Sequence, residues 1–147
     1  MSFESVITFA IFSYLVLIAL LLGSFINLAA DRIPRRESVV RPRSHCRSCG
    51  RVLNAIDLLP VAGYLVRRGR CMTCHAPIGV LAPLVEASAG ALMLVSLLWL
   101  GPWPGVLFGF TLVGLGGLSV VGLAVALARS RSPRADTGSG PARHVRG

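Results

Sequence analysis

Charge is absent from two long stretches of the chain and reduced to one residue in a third, and it crowds into the segment after the first stretch and the one after the last. Val6 to Ala30 is an unbroken uncharged run. At about 1.5 Å per helical residue it reaches about 37 Å, enough to cross a hydrocarbon core with some tilt. The chain turns apolar again from Ala76. Leu84 to Leu100 is interrupted only by Glu86 and ends at a break formed by Gly101, Pro102 and Pro104. Gly105 to Ala128 is again uncharged and also long enough for a crossing. Trp99 and Trp103 flank the break, where an interfacial aromatic belt belongs.

The pattern predicts an all-α integral membrane protein with three transmembrane helices and a long polar loop between the first two. Its parts are a first transmembrane helix at 1–30, a loop at 31–77, a transmembrane helical hairpin at 78–128 and a basic tail at 129–147. The tail is rich in Ser, Pro, Gly and Arg, includes His144, and is expected to be disordered and to lie on anionic lipid. A cleaved signal peptide is a poorer explanation of the first run. Glu4 stands where a basic n-region belongs, the apolar stretch is too long, and Asn27 to Ala30 is a poor cleavage site.

Composition agrees, since 54% hydrophobic against 14% charged residues over 147 positions excludes an ordinary soluble domain of this size. All 15 cationic side chains are arginine, for a formal charge of +9. Ten of them lie between Asp31 and Pro77 and five follow Ala128, while the N-terminus and the Gly101–Pro104 turn have none. Three crossings put the loop and tail on one face of the membrane. The positive-inside rule makes that face cytosolic and leaves the N-terminus and the tight turn outside.

A cytosolic loop keeps its thiols reduced, so metal is the default reading of its cysteines. Cys46 and Cys49 form one CxxC pair and Cys71 and Cys74 another, with 21 residues between the pairs. That spacing is zinc-ribbon arithmetic. Four thiolates make a closed tetrahedral site, structural because no position is left for water. Zinc supplies folding free energy that a loop so poor in large apolar side chains lacks. Arg47, Arg51 and Arg70 would offset the charge of a zinc tetrathiolate. An iron–sulfur site or a redox pair is the alternative, although no thioredoxin-like pattern accompanies either pair. His45 and His75 adjoin the cysteines and are expected to be bystanders.

The residues around the loop carry a family likeness. Gly23-Ser24-Phe25-Ile26-Asn27, Arg32-Ile33-Pro34-Arg35, Glu37-Ser38 and Arg41-Pro42-Arg43-Ser44-His45-Cys46 come first. Asp57, Pro60-Val61, Arg68-Gly69-Arg70-Cys71, Pro77-Ile78 and Pro83-Leu84-Val85-Glu86 follow in order. Over roughly residues 17 to 100 this set resembles the N-terminal part of bacterial type IV prepilin peptidases. The resemblance implies a multi-pass protein of the bacterial inner membrane. It also implies prepilin or pseudopilin substrates, leader cleavage by an aspartic peptidase, and N-methylation using S-adenosylmethionine. Family peptidase chemistry uses two aspartates, one in a GxGD motif, and this sequence has no GxGD. Asp31, Asp57 and Asp136 offer no plausible proton-sharing pair. The chain resembles the enzyme's N-terminal half without its cleaving carboxylates. Leu81 and Ala82 also depart from the Arg and aromatic residue usual ahead of Pro-Leu-Val-Glu in the family, as Ala55 or Ile56 does from an aromatic.

The remaining candidates have structural readings beside the functional ones. Glu86, the one carboxylate near a membrane-embedded position, is a functional candidate by default, or it reaches water or pairs with an arginine such as Arg32. Ser24 and Asn27 are expected to hydrogen-bond across to the second span. Gly114-Leu115-Gly116-Gly117 lacks the strand and third glycine of a cofactor loop. Gly105, Gly109 and Gly116 are instead expected to form a helix-packing face. The sequence thus points to a family member acting in prepilin processing or N-methylation, with a separate peptidase half as an expected partner. The alternative is a catalytically silent scaffold. Nucleic acid is disfavoured as a partner, because topology explains the arginines and no interleaved aromatics provide stacking.

Overall fold

The computed structural model describes residues 2–131, so the expectations for His144, Asp136 and most of the tail lie outside the described residues. Four helices follow in order: α1 (Phe3–Arg32), α2 (Ala62–Val66), α3 (Leu81–Leu100) and α4 (Pro102–Arg131). A 3₁₀ turn at Ile33–Arg35 follows α1 directly. The three long helices are each apolar and long enough to cross a membrane.

Each crossing helix outruns its uncharged core. Ser2 caps α1 by accepting from the Ser5 N–H, which starts the helix before Val6, and Arg32 closes its last turn where a cation suits the helix dipole. Pro34 and the left-handed Arg36 then divert the chain. The expected Gly101–Pro104 break contracts to one residue. Gly101 (φ 77°) makes the turn, while Pro102 and Pro104 fall in the first turn of α4, where a missing N–H leaves no helical bond unmade. Arg129 and Arg131, assigned from sequence to the tail, form the last turn of α4.

The bundle core is small. Ala19, Met93 and Leu97 are fully buried, with Phe12, Leu15, Val16, Val106 and Phe110 packed around them. Small residues bring the backbones together, as in membrane helix pairs. A Cβ on Gly23 of α1 would stand 2.9 Å from the Glu86 Cα, and one on Gly105 would stand 2.6 Å from the Ser96 carbonyl oxygen. Gly109 and Gly117 continue the α4 stripe against Met93 and Ile26. Gly116, expected on that face, has open space around it instead. The stripe runs 105, 109, 113, 117 with Val113 buried between, and a fourth-residue step puts Gly117 inward. Most outer side chains are large and apolar, and Trp99 and Trp103 project at the α3–α4 end of the bundle.

Candidate metal centre and its setting

Each CxxC pair sits in a tight turn, and the two turns repeat one hydrogen-bond scheme. The Cys46 N–H donates to the Arg51 carbonyl at 2.8 Å and the Cys71 N–H to that of Ala76 at 2.9 Å. The N–H just after each pair, Gly50 in one and His75 in the other, donates back to the first cysteine's carbonyl. Outside these, Leu53 bonds to Ser44 at 2.9 Å and Ile78 to Gly69 at 2.7 Å. Antiparallel bridges join His45 to Val52 and Arg70 to Pro77. The residue after each pair takes positive φ, 72° at Gly50 and 54° at His75. Glycine is the easy choice there, and histidine is among the residues that tolerate it.

The two turns face each other, and the four Sγ atoms lie within 4.8 Å of one another. Cys46 and Cys74 are 3.7 Å apart and Cys49 and Cys71 are 3.9 Å apart. A tetrahedron with zinc–sulfur bonds of about 2.3 Å has edges of about 3.8 Å, so the donor set fits a zinc ion. His45 and His75 are exposed and outside this group, as expected of bystanders. Backbone N–H groups of Cys74 and Thr73 pull the Cys71 thiol down to about 6, and those of Cys49 and Ser48 lower Cys46. Cys74 moves the other way, to about 11: the Ala76 amide lowers it, but burial and the three neighbouring thiols outweigh that amide. Cys46 and Cys71 are thereby poised toward thiolate, the form that binds metal.

The centre is fastened to the loop through Asp57. Its carboxylate accepts from Arg51 Nη2 and from Arg67 Nε, both at 2.6 Å, and its side chain is 5% exposed. Asn54 and Asp57 also exchange hydrogen bonds, backbone N–H to side-chain oxygen in each direction. Burial pushes the Asp57 carboxyl up, but Asn54, Arg67 and Arg51 together hold it below the usual carboxylate range. Arg51 is kept protonated chiefly by Asp57 and secondarily by Cys71, which joins the clamp to the sulfur cluster. Its Nε is buried without a hydrogen-bond partner among the described residues. Asp31 is likewise taken by arginines, Arg35 at 3.0 Å and Arg47.

Glu86 does not pair with Arg32. Its Oε2 instead accepts from the Val61 N–H at 2.6 Å, across 25 positions, and so ties the loop to α3. Val61 has φ 55° and ψ −50° at the start of α2, a region where a β-branched residue is strained. Arg32 donates to the Ser38 carbonyl at 2.7 Å. Ser24 and Asn27 make no hydrogen bond to α3 among the described residues. The helices meet at Gly23, and both polar side chains face a cavity of about 700 Å³ between the loop and the ends of α1 and α3. Arg32, Asp57 and Glu86 line the same cavity, so Asn27, Arg32, Asp57 and Glu86, the polar candidates outside the metal set, converge there. Arg51 was singled out beside the sulfurs, but its clamp with Asp57 and Arg67 and the Val61 contact were not legible, since nothing in their spacing separates these residues from other loop positions.

Comparison with known proteins agrees with this geometry. The family model described as Bacterial Peptidase A24 N-terminal domain matches residues 17–100, which span the second half of α1, the cysteine loop and α3. This chain belongs to that family. A prepilin leader peptidase/N-methyltransferase of Myxococcus xanthus is 39% identical over 120 residues, 82% of this chain and 33% of that protein. One from Burkholderia pseudomallei is 42% identical over 84 residues, 57% of this chain and 27% of the relative, and one from Bacillus subtilis is 38% identical over 74 residues, 50% of this chain and 30% of the relative. The chain thus spans about a third of the length of the curated relatives it matches. No solved structure gives a significant match. Family membership and three apolar helices make this a membrane protein of inner-membrane type.

Proposed function

We propose that this chain is a zinc-stapled membrane unit of prepilin or pseudopilin processing, acting in substrate handling or N-methylation and not in leader cleavage. The observation that carries the proposal is the meeting of four sulfurs within 4.8 Å inside the segment that matches the family. Zinc held by Cys46, Cys49, Cys71 and Cys74 would give the loop the fixed shape that its own apolar content does not provide. The loop and tail lie on the cytosolic face, the side favoured by the arginine distribution. The unit divides into a first crossing to residue 30, a metal loop to 77, a helical hairpin to 128 and a basic tail. Asp57, Glu86 and Arg32 shape the loop against the helices, and Asn27 faces the cavity between them.

The described aspartates support the negative half of the proposal. An aspartic dyad shares a proton between two carboxyls, one of which must be easily protonated. Asp31 and Asp57 are each held by two arginines, and Asp57 is lowered, the opposite of what a shared proton requires. The same observation favours a second reading, a silent scaffold for a separate aspartyl half.

The purified full chain, incubated with S-adenosylmethionine and a pilin peptide bearing a free mature N-terminus, is expected to transfer the methyl group. It is expected to leave an uncleaved leader intact. Absence of methyl transfer even beside an aspartyl half selects the scaffold, and leader cleavage by this chain alone contradicts the assignment of its carboxylates.

A further inference from the structure

Only two charged residues among those described are buried as whole residues, Arg32 at 5% and Glu86 at 8% exposure. Glu86 is satisfied by the Val61 amide. Arg32 is different. Of its five donors one reaches the Ser38 carbonyl, and no carboxylate among the described residues lies within ion-pairing distance. Every candidate is engaged elsewhere: Asp31 by Arg35 and Arg47, Glu37 by Arg47, Asp57 by Arg51 and Arg67. The C-terminal end of α1 supplies only about half a negative charge. The other Arg32 donors are not sealed off and open onto the cavity it lines, where an anion would supply the counter-charge that the chain does not.

The surroundings indicate the kind of anion. Arg32 lines the 700 Å³ cavity, whose helix-side wall includes Leu21, Phe25 and Leu28 of α1 and Leu81 of α3. Leu21, Phe25 and Leu81 are 51%, 54% and 71% exposed, so this apolar wall continues onto the outside of the bundle. A ligand filling it has an anionic head and an apolar stem leaving sideways at the end of a crossing helix. That is the form of a membrane lipid lodged in a basic interhelical pocket.

We propose that the cavity holds one anionic phospholipid, with its phosphate on Arg32 and its glycerol and proximal acyl chain along Leu21, Phe25 and Leu81. This site goes beyond prepilin processing and stands whether or not the chain transfers methyl groups. Its loop-side wall includes Cys46 and Cys71, so the cavity keeps its shape only while the cysteine loop is folded.

Native mass spectrometry of the full chain in mild detergent tests it, with phosphatidylglycerol, a diacylglycerol of the same acyl chains and inorganic phosphate as probes. Wild-type protein should retain one phosphatidylglycerol in about tenfold preference over the diacylglycerol, which lacks the phosphate, the size expected for one charge-assisted contact. Inorganic phosphate at the same concentration should not displace the lipid. Arg32→Gln should lose the preference, whereas Arg41→Gln, at an exposed arginine outside the cavity, should keep it. Equal retention of the two lipids, an unchanged preference in Arg32→Gln, or displacement by free phosphate overturns the proposal. So does loss of pilin-peptide binding in Arg32→Gln with lipid preference intact, which assigns Arg32 to a substrate carboxylate. Should Arg32→Gln fail to fold, a photoreactive phosphatidylglycerol on the wild type decides: adducts at Leu21, Phe25, Leu28 or Leu81 are expected, and adducts confined to other positions contradict the site.

Discussion

Asp57 shows how a single carboxylate organises the loop. It joins Arg51, on the first cysteine turn, to Arg67, just ahead of the second. Asp57→Asn removes the charge both arginines share and leaves each partly buried without a counter-ion. The variant is expected to release zinc to a chelator about tenfold faster than the wild type, in line with losing a partner behind a metal ligand. The sign of the pH dependence follows from the depressed pKa. A carboxyl lower in the folded state contributes its full stability above the unfolded value, about 3.9, and loses it only as pH falls through the folded value. The deficit of Asp57→Asn should therefore be the same at pH 8 and pH 6, and a deficit that fades over that range contradicts the clamp. Glu86 makes a separate contact. Glu86→Ala frees the strained Val61 turn, so the Val61 amide should exchange with solvent at least about tenfold faster, while Glu86→Gln keeps an acceptor and should change it less. Neither contact was legible in the sequence. Asp57 reaches its arginines over 6 and 10 positions of irregular chain, and Glu86 reaches Val61 over 25, where no periodicity points from one residue to the other.

Among the elements, the three long helices were legible because the membrane demands uncharged runs of a fixed minimum length. Their ends were less so. Phe3, Arg32, Pro102 and Arg131 belong to helices although charge or proline placed them outside the apolar runs, since a helix end at the interface tolerates both. The small-residue stripe was read one position out of phase at Gly116, because glycines 116 and 117 are adjacent and composition alone cannot tell which faces inward. Substitution separates them. Gly23→Ala puts a methyl 2.9 Å from the Glu86 backbone and is expected to destabilise the bundle by about 1–3 kcal/mol. Gly116→Ala meets open space and should be neutral or stabilising by up to about 1 kcal/mol. Thermal unfolding in one detergent ranks the two, and a reversed order would contradict the α1–α3 packing.

For the whole molecule, the bundle supplies two helix ends and the loop supplies a structure bound across them. Glu86 and the Arg32–Ser38 contact fasten the loop to α3 and α1. What closes the loop on itself is the sulfur cluster, beside two isolated bridges, the Asp57 clamp, the exposed Arg47 ion pairs to Asp31 and Glu37, and the short α2. That cluster was legible from the start, because two CxxC turns at ribbon spacing have few uses other than a metal site. Its equivalence of turn for turn was not, because Gly50 and His75 fill the same backbone position with unlike side chains.

The most direct measurement is the zinc content of the intact, reduced full chain purified in mild detergent, beside Cys71→Ser. About one zinc per wild-type chain and its loss in Cys71→Ser are expected. Wild-type protein that is folded and reduced yet carries no stoichiometric metal would contradict the zinc-stapled loop.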